Sequence, residues 1–284
     1  MRPSRRIAPR PYEVRGAGQP RLRMRSIFQT AAAFYAEFRV PYPKELMARV
    51  VAECGLDERQ RLLDLGCGTG EVFLRLLPHL SSVVAVDPDP DMLEHAKRKT
   101  PRRGTSDVRF VQAAAEEIDR TYGVFDLVTA GASFHWMDRH LVGSMVARNL
   151  LVPGGMLVIL GSTSLWHGEE PWHGVVRDVI RHWCGEDRRA GTGLFQTPSE
   201  PHQAALERLG YAVDETVFEV DHEWSLRTLL GYLYSTSFAS RGVLAENRDR
   251  FEADLMASLL AHDHSGQYCE TLRFHLILAR PPSP

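Results

Sequence analysis

Apolar positions along the chain fall into short blocks separated by polar turns, and the period of those blocks changes from segment to segment. From Ser26 to Phe38 ("SIFQTAAAFYAEF") the pattern reads as a helix, which "RVPYP" ends at Pro41 and Pro43. A second helix is expected from about Lys44 to Cys54, closed by Gly55. Strands and helices then alternate. The pattern predicts strands over 61–66, 81–88, 108–113, 125–132 and 154–161, and helices over 70–80, 90–99 and 139–150. These strands are nearly continuous apolar runs, as a parallel sheet covered on both faces requires. After Gly161 the rhythm stops. A helix (202–210) and a strand (211–220) resume it, 222–268 reads as helical, and 269–280 is a last strand. The expected fold is α/β, a doubly wound, mostly parallel seven-stranded sheet with two insertions.

Seven segments follow from this reading: a basic leader (1–25), a helical lid (26–55), an α/β core (56–161), an insertion expected to cover a substrate (162–200), a core helix and strand (201–221), a helical insertion (222–268) and a final strand with tail (269–284). The leader holds eight arginines, four prolines and one acid, Glu13. Lacking periodic apolar positions, it reads as disordered, with a nucleic-acid-binding arm as the alternative.

Bulk composition narrows the function. The chain has 284 residues, 44% of them hydrophobic, with 34 basic against 36 acidic side chains. A net charge of −2 gives no field toward nucleic acid or an anionic membrane. No run approaches a membrane span and no signal peptide is visible, so a soluble, cytoplasmic protein is expected. Cys54, Cys67, Cys184 and Cys269 are scattered, which suits free thiols. His167 with His173, and His262 with His264, lack a third ligand at a suitable spacing, so no metal site is expected.

The segment "RLLDLGCGTGE" (61–71) carries the chemistry. An apolar strand feeds a loop of three glycines, the usual place for an open α/β protein to hold a nucleotide-like ligand. The spacing is not that of a dinucleotide fingerprint. Asp64 stands at the strand end, where a carboxylate suits an amino group and not a pyrophosphate. Asp87 ends the next strand, 17 residues beyond Gly70, and is placed to accept from ribose hydroxyls. An amino acid at one end and a ribose at the other describe S-adenosylmethionine (SAM).

With those residues in place, the chain resembles the Rossmann-like class I SAM-dependent methyltransferases over roughly residues 30–280. "LLDLGCGTG", "VVAVDPDPDML", "FDLVTAGASFHWMD" and "LVPGGMLVIL" match that family's motifs in order. "QAAAEEI" and "GASFHW" are similar to the small-molecule branch of trans-aconitate and methyltransferase-11 type. The resemblance implies that Gly66 and Gly68 admit the methionyl part and that Asp64 faces its ammonium. It implies that Asp87 takes the ribose, and that Pro88, Met92, Ala115 and Glu116 surround the adenine. Many relatives have an acid where Ala114 stands, so adenine recognition falls here to the backbone or to Glu116. "FYAEFRVPYP" is similar to that branch's opening, which implies that Tyr35 and Arg39 cover the cofactor, Arg39 near its carboxylate.

The acceptor is expected beyond the fourth strand. Phe134 and Trp136 offer aromatic walls there, and His135 is the candidate base, or a structural hydrogen-bonding residue. "WHGEEPWH" (166–173) is expected to close the pocket through Trp166, Glu169, Glu170 and Trp172, or to be an ordinary polar loop. These residues suggest a hydroxylated or amino-bearing metabolite, methylated at N or O in a tailoring step of bacterial natural-product biosynthesis. The alternatives are a nucleic-acid or protein methyltransferase and a SAM-binding protein without catalysis. The first lacks the Asn/Asp-Pro-Pro-aromatic motif of amino-methylating enzymes. Oligomeric state stays open.

Overall fold

The structure, a computed structural model, describes residues 13–14, 22–23, 28, 30–101, 106–190, 193–198 and 200–282. The basic leader lies outside these residues except for a short antiparallel pairing of Glu13–Val14 with Leu22–Arg23. The first turns expected of the helix from Ser26 also fall largely outside them.

One sheet organises the core. Its strands are β1 (Arg61–Leu65), β2 (Ser82–Asp87), β3 (Asp107–Gln112), β4 (Phe125–Gly131), β5 (Leu151–Ser162), β6 (Ala212–Ser225) and β7 (Gln267–Arg280). Their order is β6-β7-β5-β4-β1-β2-β3. The pairs among β1 to β5 are parallel, whereas β7 runs antiparallel to both β5 and β6. β1 lies between β4 and β2, so the chain reverses its winding direction there and leaves a crevice beyond the strand's carboxyl end. Leu62, Leu63 and Leu65 are wholly buried because both faces of β1 are covered. Leu62 packs into one core layer, and Leu63 and Leu65 pack into the other.

The helices are α1 (Ala32–Phe38), α2 (Lys44–Glu53), α3 (Phe73–Leu76), α4 (Pro90–Lys99), α5 (Arg139–Met145), α6 (Pro171–Cys184), α7 (His202–Arg208), α8 (Leu226–Tyr234), α9 (Arg241–Leu244) and α10 (Arg248–His262). α3 is shorter than the expected 70–80 helix, because Pro78 has no amide hydrogen to extend the ladder and the chain continues as a 3-10 turn. The expected 139–150 helix ends in a π turn at Val146–Leu150.

Both insertions belong to one helical cap. α6 from the first packs on α10 from the second, around Trp172, Trp224, Phe251 and Tyr268. The segment "DHEWS" is strand and not helix, since β6 and β7 stay paired from Ala212↔Arg280 to Ser225↔Gln267. This long ribbon carries the cap above the sheet. The 26–55 segment divides: α1 packs on α8 of the cap, whereas α2 buries Leu46, Met47 and Val50 in the sheet's core. Among the described residues no helix is long and apolar enough to cross a membrane.

Candidate functional site

The loop after β1 is built to bring backbone close to a ligand. Gly66, Gly68 and Gly70 all have positive φ, at 65°, 53° and 93°. A Cβ on Gly66 would lie 2.6 Å from the Ser133 Cβ, so the loop and the turn after β4 meet at a point that only glycine allows. Ser133 secures the junction by donating from Oγ to the Leu65 carbonyl at 2.8 Å. Ala132 beside it has φ 50°, strained for a residue with a side chain, and it borders all three cavities described below.

Two buried carboxylates flank the loop. Asp64 is 1% exposed and accepts from Thr129 Oγ1 at 2.7 Å through Oδ1, while Oδ2 is buried without a partner. Asp87 accepts from the Gly68 amide at 2.8 Å and the Asp89 amide at 2.9 Å, which ties the glycine loop to the end of β2. Burial lifts each carboxyl to about 7, against the hydrogen bonds that favour its ionised form.

Three cavities meet at this point. The first, about 680 Å³, is lined by Asp87, Pro88, Met92, Ala115, Glu116 and Trp136. The second, about 510 Å³, holds Asp64, Arg39, Tyr42 and Glu71. Tyr35, Gly66 and Gly68 form walls of both. The third, about 550 Å³, lies under the helical cap and includes Arg39, His135, Trp136, Arg188, Tyr232 and Phe238. All ten residues expected to hold a cofactor therefore line the first two cavities. Glu116 is already engaged, since its Oε1 accepts from the Asp138 amide at 2.7 Å.

Residues 62–155 match a family described as a methyltransferase domain. They include β1 from Leu62 onward, the glycine loop, both carboxylates and β4. The core has the fold of the class I methyltransferases, and residues 62–155 are similar in sequence to a methyltransferase domain. The chain is 32% identical over 147 residues to a trans-aconitate 2-methyltransferase of Enterobacter, covering 51% of this chain and 53% of that one. It is 33% identical over 136 residues to an uncharacterized methyltransferase of Mycobacterium bovis, covering 48% and 52% respectively. The chain thus spans about half the length of the curated relatives it matches. The YcgJ protein of Bacillus subtilis shares the fold at a TM-score of 0.54 and 17% identity, covering 85% of this chain and all of that one.

Around the methyltransferase domain, the expected acceptor wall needs correction. Phe134 is 1% exposed and sits in the core, edge-on to His202. Trp172 is buried in the cap and donates from Nε1 to the Cys269 carbonyl. Trp166 stacks obliquely on Phe238 one layer behind the third cavity. Glu169 and Glu170 are exposed, and Glu170 caps the start of α6. The eight-residue cluster that looked like a pocket is the turn into α6 and that helix's first residues, with Trp172 drawn into the cap and the acids before it left in water. His135 does line the third cavity, but burial and the nearby His202, Arg188, Arg39 and Arg139 push its pKa down to about 3. It is uncharged at neutral pH and unsuited to hold a proton there.

Other residues take the places left open. Phe28 closes on Trp136 at 5.9 Å between ring centroids, edge to face, and on Tyr35 at 6.4 Å. Arg188 and Tyr232 enter the third cavity from the two insertions, together with the hydroxyls of Thr236 and Ser237. Their only sequence signal was the placement of the insertions; α6 and α8 must pack before these side chains converge.

Proposed function

We propose that this chain transfers a methyl group from SAM to a small molecule bound in the third cavity, and that a tailoring step on a metabolite is the setting. The observation that carries this is Asp64: a buried carboxylate oxygen with no partner, facing a cavity beside a glycine cradle, is the complement of an ammonium group. The residues present fit SAM. Asp64 would take its ammonium and Arg39 its carboxylate. Asp87 would take the ribose hydroxyls, with Pro88, Met92, Ala115 and Glu116 around the base. When bound, the cofactor supplies an electrophilic methyl on a sulfonium, so the protein's task is to position and desolvate the acceptor.

The chain's own side chains support that task. Arg39 lies between the rings of Tyr35 and Tyr232, 4.6 and 5.1 Å from their centroids, and donates to the Ser235 carbonyl at 3.1 Å. It thereby joins α1 to the cap over the crevice. Trp136 borders both the first and third cavities, and Tyr35 borders all three, so these two rings mark the passage between donor and acceptor.

Calorimetric titration with SAM, followed by turnover of methyl-labelled SAM against a panel of small metabolites, tests the reading. Binding with transfer is the expected result; absence of SAM binding to the folded protein would overturn it.

A further inference from the structure

An exocyclic amine on a bound base needs a hydrogen-bond acceptor in the wall around it. In the first cavity the side-chain acceptors already serve the protein's own backbone. Asp87 holds the Gly68 and Asp89 amides, and Asp89 caps α4 by accepting from the Asp91 and Met92 amides. Ser133 donates to the Leu65 carbonyl, and Glu116 accepts from the Asp138 amide at 2.7 Å. Tyr35 lies over the glycine loop, with Cε1 4.0 Å from where a Cβ on Gly68 would stand. Two backbone carbonyls of the same wall are engaged as well: Pro88 accepts from Gln112 Nε2 at 3.4 Å and Ala114 from the Glu117 amide at 3.1 Å.

The rest of the lining is apolar. Phe28 and Trp136 meet edge to face at 5.9 Å between centroids, and Met92, Ala114 and Ala115 are buried beside the same cavity. Walls of this kind hold a flat ring by dispersion and stacking, which every purine offers through its faces. The consequence for selectivity is large. A site that hydrogen-bonds a ligand N–H rejects the analogue lacking it by about 10⁴–10⁵, because its own polar group is left unpaired. An apolar wall leaves nothing unpaired, and one carbon more or less changes affinity by only about 10–200-fold even in a tight pocket.

We propose that the first cavity holds the purine of a nucleoside sulfonium or thioether by its faces, does not read the substituent at purine carbon 6, and owes this tolerance to Ala114. This rests on the SAM reading of that cavity. Ala114 is 3% exposed and stands in extended backbone, φ −78° and ψ 156°, where the chain turns into the 3-10 segment Ala115–Glu117. Its methyl lines the cavity and offers no acceptor. Nucleosides with hydrogen or a methylamino group at carbon 6 are therefore ligands alongside the adenine form. Selection is left to the amino-acid and ribose ends, through Asp64 and Asp87.

Isothermal titration of the full chain tests this with S-adenosylhomocysteine and two analogues, one carrying purine and the other N6-methyladenine in place of adenine. The three dissociation constants should agree within about fivefold, as for a wall without a hydrogen bond to lose. Ala114→Asp puts an acceptor into the wall, and that variant should prefer adenine over purine by at least about tenfold, the worth of one charge-assisted hydrogen bond. Ala114→Asn supplies a neutral acceptor of the same shape and makes the same comparison if the acid does not fold. A wild type that favours S-adenosylhomocysteine over the purine analogue by more than about tenfold would overturn the proposal and leave the SAM reading standing. An unchanged preference in variants that still bind S-adenosylhomocysteine would remove Ala114 from its role. Binding of none of the three by the folded wild type would remove the SAM reading and this proposal with it.

Discussion

Thr129 on β4 donates a 2.7 Å hydrogen bond to one carboxylate oxygen of Asp64 on β1, and leaves the other oxygen buried and unpartnered. The two residues face each other in the parallel register of these strands, Asp64↔Thr129, so the sheet itself aims the free oxygen. Burial holds the carboxyl at about 7. A folded-state pKa above the unfolded value favours the folded protein below about pH 4 and loses that contribution as pH rises through 7. Taken alone, this carboxyl should therefore lower the melting temperature of the ligand-free protein at pH 8 relative to pH 5, while the depressed pKa values of His135 and His202 act in the opposite direction. Asp64→Asn should remove that contribution and weaken SAM binding. Thermal melts at the two pH values check it, and an unchanged difference would remove Asp64 as the cause.

Asp87 has a double duty, holding the Gly68 amide and facing the first cavity. Asp87→Ala should weaken SAM binding by about 1–3 kcal/mol through lost hydrogen bonds. Isothermal titration measures this. Wild-type affinity in a folded variant would place the ribose elsewhere.

His135 is deprotonated throughout the neutral range. His135→Ala should lower kcat less than tenfold and leave the pH profile between 6 and 8 unchanged. A fall of about 10²–10⁴ would instead be the signature of general base catalysis.

The contact between α1 and α8 depends on Gly231. A Cβ there would lie 2.3 Å from the Phe38 ring, so Gly231→Ala should displace α1 and raise the Kd for SAM with little change in the far-ultraviolet circular dichroism. Gly174 on α6 has open space around it, and Gly174→Ala should stabilise the fold by about 0.5–1 kcal/mol as helix propensity favours alanine. Similar effects from both substitutions would refute the contact argument.

Glu169→Ala with Glu170→Ala should leave the acceptor KM unchanged, since both side chains point into solvent. Trp172→Ala should cost about 3–5 kcal/mol in unfolding free energy by emptying the cap core. A raised KM in the double variant would return these acids to the pocket wall.

Local pattern sufficed for much of the α/β core. Continuous apolar strands such as 61–65 can only be buried on both faces, and a glycine loop between Asp64 and Asp87 has few geometries open to it. Those constraints act over a few residues, so the residues that line the first two cavities could be named from the sequence. Those of the third could not. Trp136, Arg188 and Tyr232 are separated by dozens of residues and meet only because α6, α8 and α10 bury their apolar faces against one another. Composition counted Trp172, Glu169 and Glu170 as a cluster, but the two acids lie in the exposed turn before α6, whereas Trp172 in its first turn goes into the cap core. The charge of the third cavity could be decided only by that packing: it removed the acids from the wall and left Arg39 and Arg188 inside.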